Sequence, residues 1–307
     1  MPRARIVWGL LVTLALTAAG CWGSPRGSQQ PTASVRRVRV VATIYPLAYF
    51  ARQVGQDRVE VFTLVPAGVE PHDWEPTPKD LDTVLRADLL VYNGAGMEPW
   101  ISRLLASLGP EGPVTVEASR GVALITPPGW SSPDPHIWLD PVRARQMVEN
   151  IRLGLSRVDA GGAELYARGA AGLAQRLEDL HRSYTVSLAG APRKVLITSH
   201  AAFSYLADRY GLLEVPVSGL SPHDEPTPGQ LARTVRLARM HGAAYVLFET
   251  LASPRVAEVI AREVGARTLT LNPVEGLTPE EESRGEDYFS LMEKNLEVLK
   301  LVLGVTK

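Results

Sequence analysis

Three of the six histidines in this chain sit where they could do chemistry. His72 lies in Pro-His-Asp-Trp just after one β-branched run, His136 lies in Asp-Pro-His-Ile-Trp after another, and His200 closes a third run as Ile-Thr-Ser-His. Imidazole binds borderline metals through either ring nitrogen, and three imidazoles drawn together suit zinc. The single cysteine, Cys21, excludes a multi-cysteine zinc or iron–sulfur site, so any metal must rely on imidazoles and carboxylates. Pro71, Pro76, Pro78 and Pro135 stiffen the flanking loops and reduce the entropy lost when an ion fixes them. A lone loop histidine is more often a surface or hydrogen-bonded group. On pattern alone, the three read equally well as a metal set and as structural residues.

The elements that must position them alternate in type. Apolar, β-branched runs at 38–43, 59–65, 88–93 and 114–117 are separated by amphipathic stretches, and the same order returns at 194–199, 213–217, 244–249 and 267–271. That alternation implies parallel sheets. Letters repeat too: Pro71-His72-Asp73-Trp74-Glu75-Pro76-Thr77-Pro78 is echoed by Pro222-His223-Asp224-Glu225-Pro226-Thr227-Pro228, and Thr43-Ile44-Tyr45 parallels Thr198-Ser199-His200. The expected fold is α/β, with two lobes that each carry a four-stranded parallel sheet flanked by helices. Residues 141–158 and 163–188 show helical spacing, with Gly161 and Gly162 as a stop between them. At 1.5 Å per residue the second would reach about 39 Å, a rigid linker between the lobes. All three histidines then fall beyond the carboxyl ends of strands, where open α/β sheets bind ligands.

The 307 residues, 45% of them hydrophobic, suffice for two cores. Lys and Arg number 32 against 33 Asp and Glu, so there is no basic excess to draw in phosphate backbones, and nucleic acid is not an expected partner. Arg3 and Arg5 precede an apolar run at 6–19 that has the length of a signal-peptide core and is short for a membrane span. The run ends Ala18-Ala19-Gly20-Cys21, similar to a bacterial lipobox, which makes Cys21 a lipidation candidate. Ordinary cleavage is the alternative. Residues 22–34 are rich in Gly, Ser, Pro and Gln and read as a tether. The expected organisation is a signal peptide at 1–20, a lipidated cysteine and tether at 21–36, an N-terminal lobe at 37–160, a linker helix at 161–189 and a C-terminal lobe at 190–307.

Motifs for other chemistry fail. Gly94-Ala95-Gly96-Met97-Glu98-Pro99 opens like a dinucleotide fingerprint but lacks the third glycine, and reads as a strand-to-helix turn. There is no Walker A loop, no Gly-x-Ser-x-Gly elbow and no His-Glu-x-x-His helix.

The stretches TIYPLAYFARQVG, PHDWEPTPKDL, DPHIWLDP, ITSHAAFSYLADRYGL, EPTPGQL and LNPVEGLTPEEESRGEDYFSLMEKNLEVL together resemble the zinc and manganese solute-binding proteins of ABC importers, the ZnuA-, AdcA- and TroA-like receptors. The likeness runs from about residue 38 to the C-terminus. It implies a buried site between the lobes with His72, His136 and His200 as ligands. Manganese receptors of the family typically place a carboxylate at the third position, so His200 favours Zn(II) over Mn(II) as the captured ion. The Asn-Pro-x-Glu form of residues 272–275 resembles the AdcA-like branch and transfers the fourth ligand to Glu275, with water completing the shell as the alternative. His223, although it repeats His72, is not a ligand in the family pattern, and His181 and His241 read as surface residues.

Metal-bound histidine usually donates its second N–H to a carboxylate or carbonyl. Asp73, Glu75, Asp134, Asp140 and Glu249 are the acids best placed in sequence to receive it, and Trp138 and Tyr45 to exclude water. The resemblance implies an extracytoplasmic, lipid-anchored monomer that is not an enzyme and that hands zinc to an ABC permease driven by a separate ATPase subunit. A manganese receptor, an exported zinc hydrolase and a surface adhesin are the competing readings.

Overall fold

The computed structural model describes residues 36–127, 130–219 and 226–305. The leader, Cys21, most of the tether and His223 lie outside these residues.

The N-terminal half runs β1 (Val38–Ala42), α1 (Tyr45–Gly55), β2 (Val59–Thr63), α2 (Pro78–Leu85), β3 (Leu89–Tyr92), α3 (Ile101–Ser107) and β4 (Val114–Glu117). Then come α4 (Pro141–Val158) and α5 (Ala163–Leu188). The second half runs β5 (Val195–Thr198), α6 (Ser204–Tyr210), β6 (Leu213–Pro216), α7 (Pro228–Met240), β7 (Tyr245–Phe248), α8 (Arg255–Val264), β8 (Arg267–Thr270), α9 (Pro279–Ser283) and α10 (Tyr288–Leu303). Two four-stranded sheets result, ordered β2-β1-β3-β4 and β6-β5-β7-β8, with every pairing parallel. The expected α/β architecture of two sheets flanked by helices and joined by a long helix is the observed one.

Strand order follows burial. The central strands β1, β3, β5 and β7 are nearly continuous apolar runs, as parallel strands covered on both faces must be. The repeated Pro-Thr-Pro letters have a local cause. Thr77 and Thr227 are N-caps with proline at the first helical position, and Asp80 and Gln230 return hydrogen bonds of 2.8 Å to the cap N–H. Such a cap contributes about 1 kcal/mol to its helix.

The linker helix α5 presents Tyr166, Gly169, Ala170, Leu173, Leu177, Leu180, Tyr184 and Leu188 to the interior at helical spacing. It packs on α4, α10 and α6, and on α1. Gly169 permits this contact, since a Cβ there would stand 2.4 Å from the Val54 carbonyl oxygen. One hydrophobic core runs through both halves, joining Phe50, Trp138, Leu177, Tyr184 and Tyr288. Among the described residues, no helix is long and apolar enough to cross a membrane.

Candidate metal centre

Each histidine is delivered by the end of a strand or the loop beyond it. His72 sits in a single 3-10 turn, Pro71–Asp73, after β2, where Glu70 Oε1 accepts its backbone N–H at 3.2 Å. His136 precedes the turn Ile137–Leu139 that leads into α4. Asp134 Oδ1 accepts both the backbone N–H of His136, at 2.8 Å, and its ring Nδ1, at 2.7 Å. His200 follows β5, with its Nδ1 2.5 Å from Glu249 Oε1, an oxygen that also accepts the Ser199 hydroxyl. Fixing Nδ1 in this way turns Nε2 toward the cleft.

The loop after β8 carries Glu275, and it is tightly held. The Asn295 side chain accepts the backbone N–H of Asn272 at 2.9 Å and donates to its carbonyl at 2.6 Å, while Asn272 Oδ1 accepts the Val274 N–H at 2.7 Å. Trp138 Nε1 donates to the Pro273 carbonyl at 2.8 Å. Val274 stands at φ +57°, in the left-handed region that a β-branched residue enters only when its surroundings hold it there.

These elements bring His72, His136, His200 and Glu275 together, with one donor atom from each within 4.8 Å of the others. Nε2 of His136 lies 3.2 Å from that of His72 and 3.4 Å from that of His200. Glu275 Oε1 lies 2.7 Å from His136 Nε2, 3.6 Å from His72 Nε2 and 3.7 Å from His200 Nε2. These separations bracket the ~3.3 Å edge of a tetrahedron with ~2.0 Å bonds, the geometry of four-coordinate zinc. His136, His200 and Glu275 are buried, and the His72 side chain is 9% exposed.

The electrostatics call for positive charge. Glu70, Asp134, Glu249 and Glu275 are all buried, and each has one oxygen without a hydrogen-bond partner. Among the described residues, the ion pairs of Asp134, Glu249 and Glu275 are all with histidines. Burial pulls the His136 imidazole down, but the charge of Asp134 and the hydrogen bonds to Asp134 and Glu275 outweigh it and push it up to about 10. His200 is likewise raised, by Glu249 against burial. Glu275 is held well below the usual carboxylate range despite burial, by hydrogen bonds with His136 and His72. Burial and the charge of Glu275 push Glu70 up to about 9. Protons thus occupy the place of a cation, and a divalent ion meeting the four donors would displace them.

A family model described as the zinc-uptake complex component A, periplasmic, matches residues 40–301. The chain belongs to the ZnuA family. It is 38% identical to the high-affinity zinc uptake system protein ZnuA of Bacillus subtilis, across 95% of this chain and 96% of that protein. It is also 38% identical to the zinc-binding lipoprotein AdcA of Streptococcus pneumoniae, covering 86% of this chain but only 55% of that longer protein. Among solved structures, the Zn(II)-bound ZnuA-like domain of Streptococcus pneumoniae AdcA superposes with a TM-score of 0.77 at 40% identity, over 87% of this chain and 99% of that one.

Within this ZnuA-family chain, the five acids expected behind the histidines divide. Asp134 and Glu249 meet His136 and His200. Glu75 instead points outward, 74% exposed and 3.3 Å from Arg103, because the helix cap that follows turns it to solvent. Asp140 caps α4 by accepting the Val142 N–H at 2.9 Å and binds Arg209 at 2.8–3.0 Å and Arg143 at 2.8 Å, so it serves the packing of α4 on α6. Asp73 is exposed on the same turn as His72. The Trp138 ring lies against that of His136, with centroids 5.4 Å apart, while Tyr45 meets the cleft loop through its N–H to the Glu275 carbonyl at 3.3 Å. His241 is exposed at the end of α7, whereas His181 is half-buried against the Tyr210 hydroxyl at 3.3 Å.

Sequence reasoning passed over Glu70, Asn93, Tyr205 and the Asn272–Asn295 lock. Asn93 donates to the Pro135 carbonyl at 3.0 Å, and the Tyr205 hydroxyl donates to the Asp134 carbonyl at 2.7 Å, so both steady the segment that carries His136. Only Glu70, two residues before His72, carried a local signal.

Proposed function

We propose that this chain is an extracytoplasmic receptor that captures Zn(II) with His72, His136, His200 and Glu275 and delivers it to the permease of an ABC importer driven by a separate ATPase subunit. The observation that carries this reading is the convergence of four donor atoms at tetrahedral spacing, three of them on buried side chains, from segments up to 203 positions apart in sequence. Membership of the zinc-uptake family supports it. Three imidazoles favour zinc, since manganese prefers more oxygen donors. Four protein donors also close the coordination sphere, which suits a carrier; a zinc hydrolase needs an open position for water. The receptor works as a monomer, attached to the envelope through lipid on Cys21.

Elemental mass spectrometry of the purified chain, followed by competitive titration with zinc and manganese, tests this. One equivalent of zinc per chain is expected, held far more tightly than manganese, with His136→Ala and His200→Ala each weakening it about 100-fold or more. Unchanged zinc affinity in both variants would refute the site, and turnover of a hydrolysable substrate would favour the enzyme.

A further inference from the structure

We infer that Glu214, on β6, is a positioning residue for metal capture: it ties the Thr198 side chain before His200 to the Ala202 and Phe203 main chain after it, so that Nε2 faces the cleft. This rests on the zinc-receptor reading above. β5 ends at Thr198 and α6 begins at Ser204, and His200 lies in the irregular segment between them. Glu214 Oε1 accepts the Thr198 hydroxyl at 3.0 Å, the Ala202 N–H at 3.2 Å and the Phe203 N–H at 3.1 Å, and Oε2 accepts the Ser204 hydroxyl at 3.1 Å. One carboxylate therefore grips the segment before and after His200. The rest of its backbone is anchored by Ser199 N–H to the Leu247 carbonyl and Ala201 N–H to the Gly219 carbonyl, both at 2.9 Å.

No Lys or Arg neutralises Glu214 in any ion pair among the described residues. Burial, reinforced by the charge of Asp134, pushes its carboxyl up to about 7. The residue is costly where it stands, and its visible return is the shape of the His200 segment. A simpler role also presents itself, because the N-cap of α6, Phe203, offers no capping oxygen, and Glu214 supplies one from across the sheet. That role alone would affect stability and leave the metal untouched.

Full-length wild type, Glu214→Ala, Glu214→Asp and Glu214→Gln would be compared for zinc Kd by chelator competition, for the visible spectrum of the Co(II)-loaded protein, and for zinc-free Tm. Glu214→Ala and the shorter Glu214→Asp are expected to weaken zinc about 10- to 100-fold and to shift the cobalt bands, as loss of support behind a ligand does. Glu214→Gln can accept the same three bonds at Oε1 and donate to the Ser204 hydroxyl, so it should restore both affinity and spectrum. The inference is overturned if Ala and Asp lower Tm but leave Kd and the cobalt spectrum at wild-type values, or if Gln loses as much affinity as Ala. Should Ala fail to fold, the Asp and Gln pair decides by the same criteria. Failure of wild type itself to bind zinc would instead sink the receptor reading.

Discussion

His136 shows how the site is tuned: Asp134 faces its Nδ1 and Glu275 its Nε2, so without a metal the ring holds its proton up to about 10. Glu70, Glu98 and Glu214 are also raised, chiefly by burial, to about 9, 7 and 7. At all four groups the folded chain binds protons more tightly than the unfolded one. The stability they confer is complete below their unfolded values, 4.5 for carboxyls and 6.5 for imidazole, and is lost as pH rises through the folded values. Glu275 acts in the opposite sense: its contribution is present above 4.5 and disappears in acid. The zinc-free protein should therefore be most thermostable near pH ~4.5, and its Tm should fall from there to about pH 9–10. The increase in Tm produced by saturating zinc should grow across the same interval, because the ion displaces those protons. Calorimetry with and without a chelator checks both trends, and a zinc-induced shift that shrinks as pH rises would contradict the assignment.

The loop carrying Glu275 depends on α10. Asn295 supplies both partners of the Asn272 backbone, and Asn272 in turn fixes Val274 in its left-handed conformation. Asn295→Ala leaves a buried N–H and a buried C=O unpaired and is expected to cost about 1–3 kcal/mol of stability. It should also weaken zinc, because Glu275 loses its aim. Denaturant melts paired with zinc titration would show both effects; a stability loss with zinc binding intact would mean that the loop holds its shape without the lock. None of this was legible in the sequence, since residues 272 and 295 are 23 positions apart with α9 between them and nothing in Asn-Pro-Val-Glu signals a positive φ. The strands were legible, because each is a short β-branched run bounded by turn residues, and so was α5, whose apolar spacing and flanking Gly161-Gly162 gave its 163–188 extent. Glu75 and Asp140 were misplaced for the converse reason. Closeness in sequence to a histidine says little about direction once a capping turn intervenes.

Across the two halves, the segment bearing His136 is stitched to the second lobe at several points. The Tyr205 hydroxyl donates to Asp134, Trp138 to Pro273, the Tyr288 hydroxyl to the Trp138 carbonyl at 2.6 Å, and Arg209 pairs with Asp140. Together with the shared core along α5, these links leave little freedom for the wide closure of a hinge-bending receptor. Repeated letters pointed to two like halves, and three histidines at strand ends, together with the family resemblance, pointed to the cleft. What the letters could not convey is that buried acids with unpartnered oxygens surround the cluster, a charge imbalance that exists only once the chain is folded. The whole arrangement amounts to a claim about one ion's immediate neighbours. X-ray absorption at the zinc edge of the loaded protein reads those neighbours directly. Three imidazole nitrogens and one carboxylate oxygen at about 2.0–2.1 Å are expected, with one imidazole lost in His200→Ala. A shell made largely of water oxygens, or one unaltered by that substitution, would contradict the account.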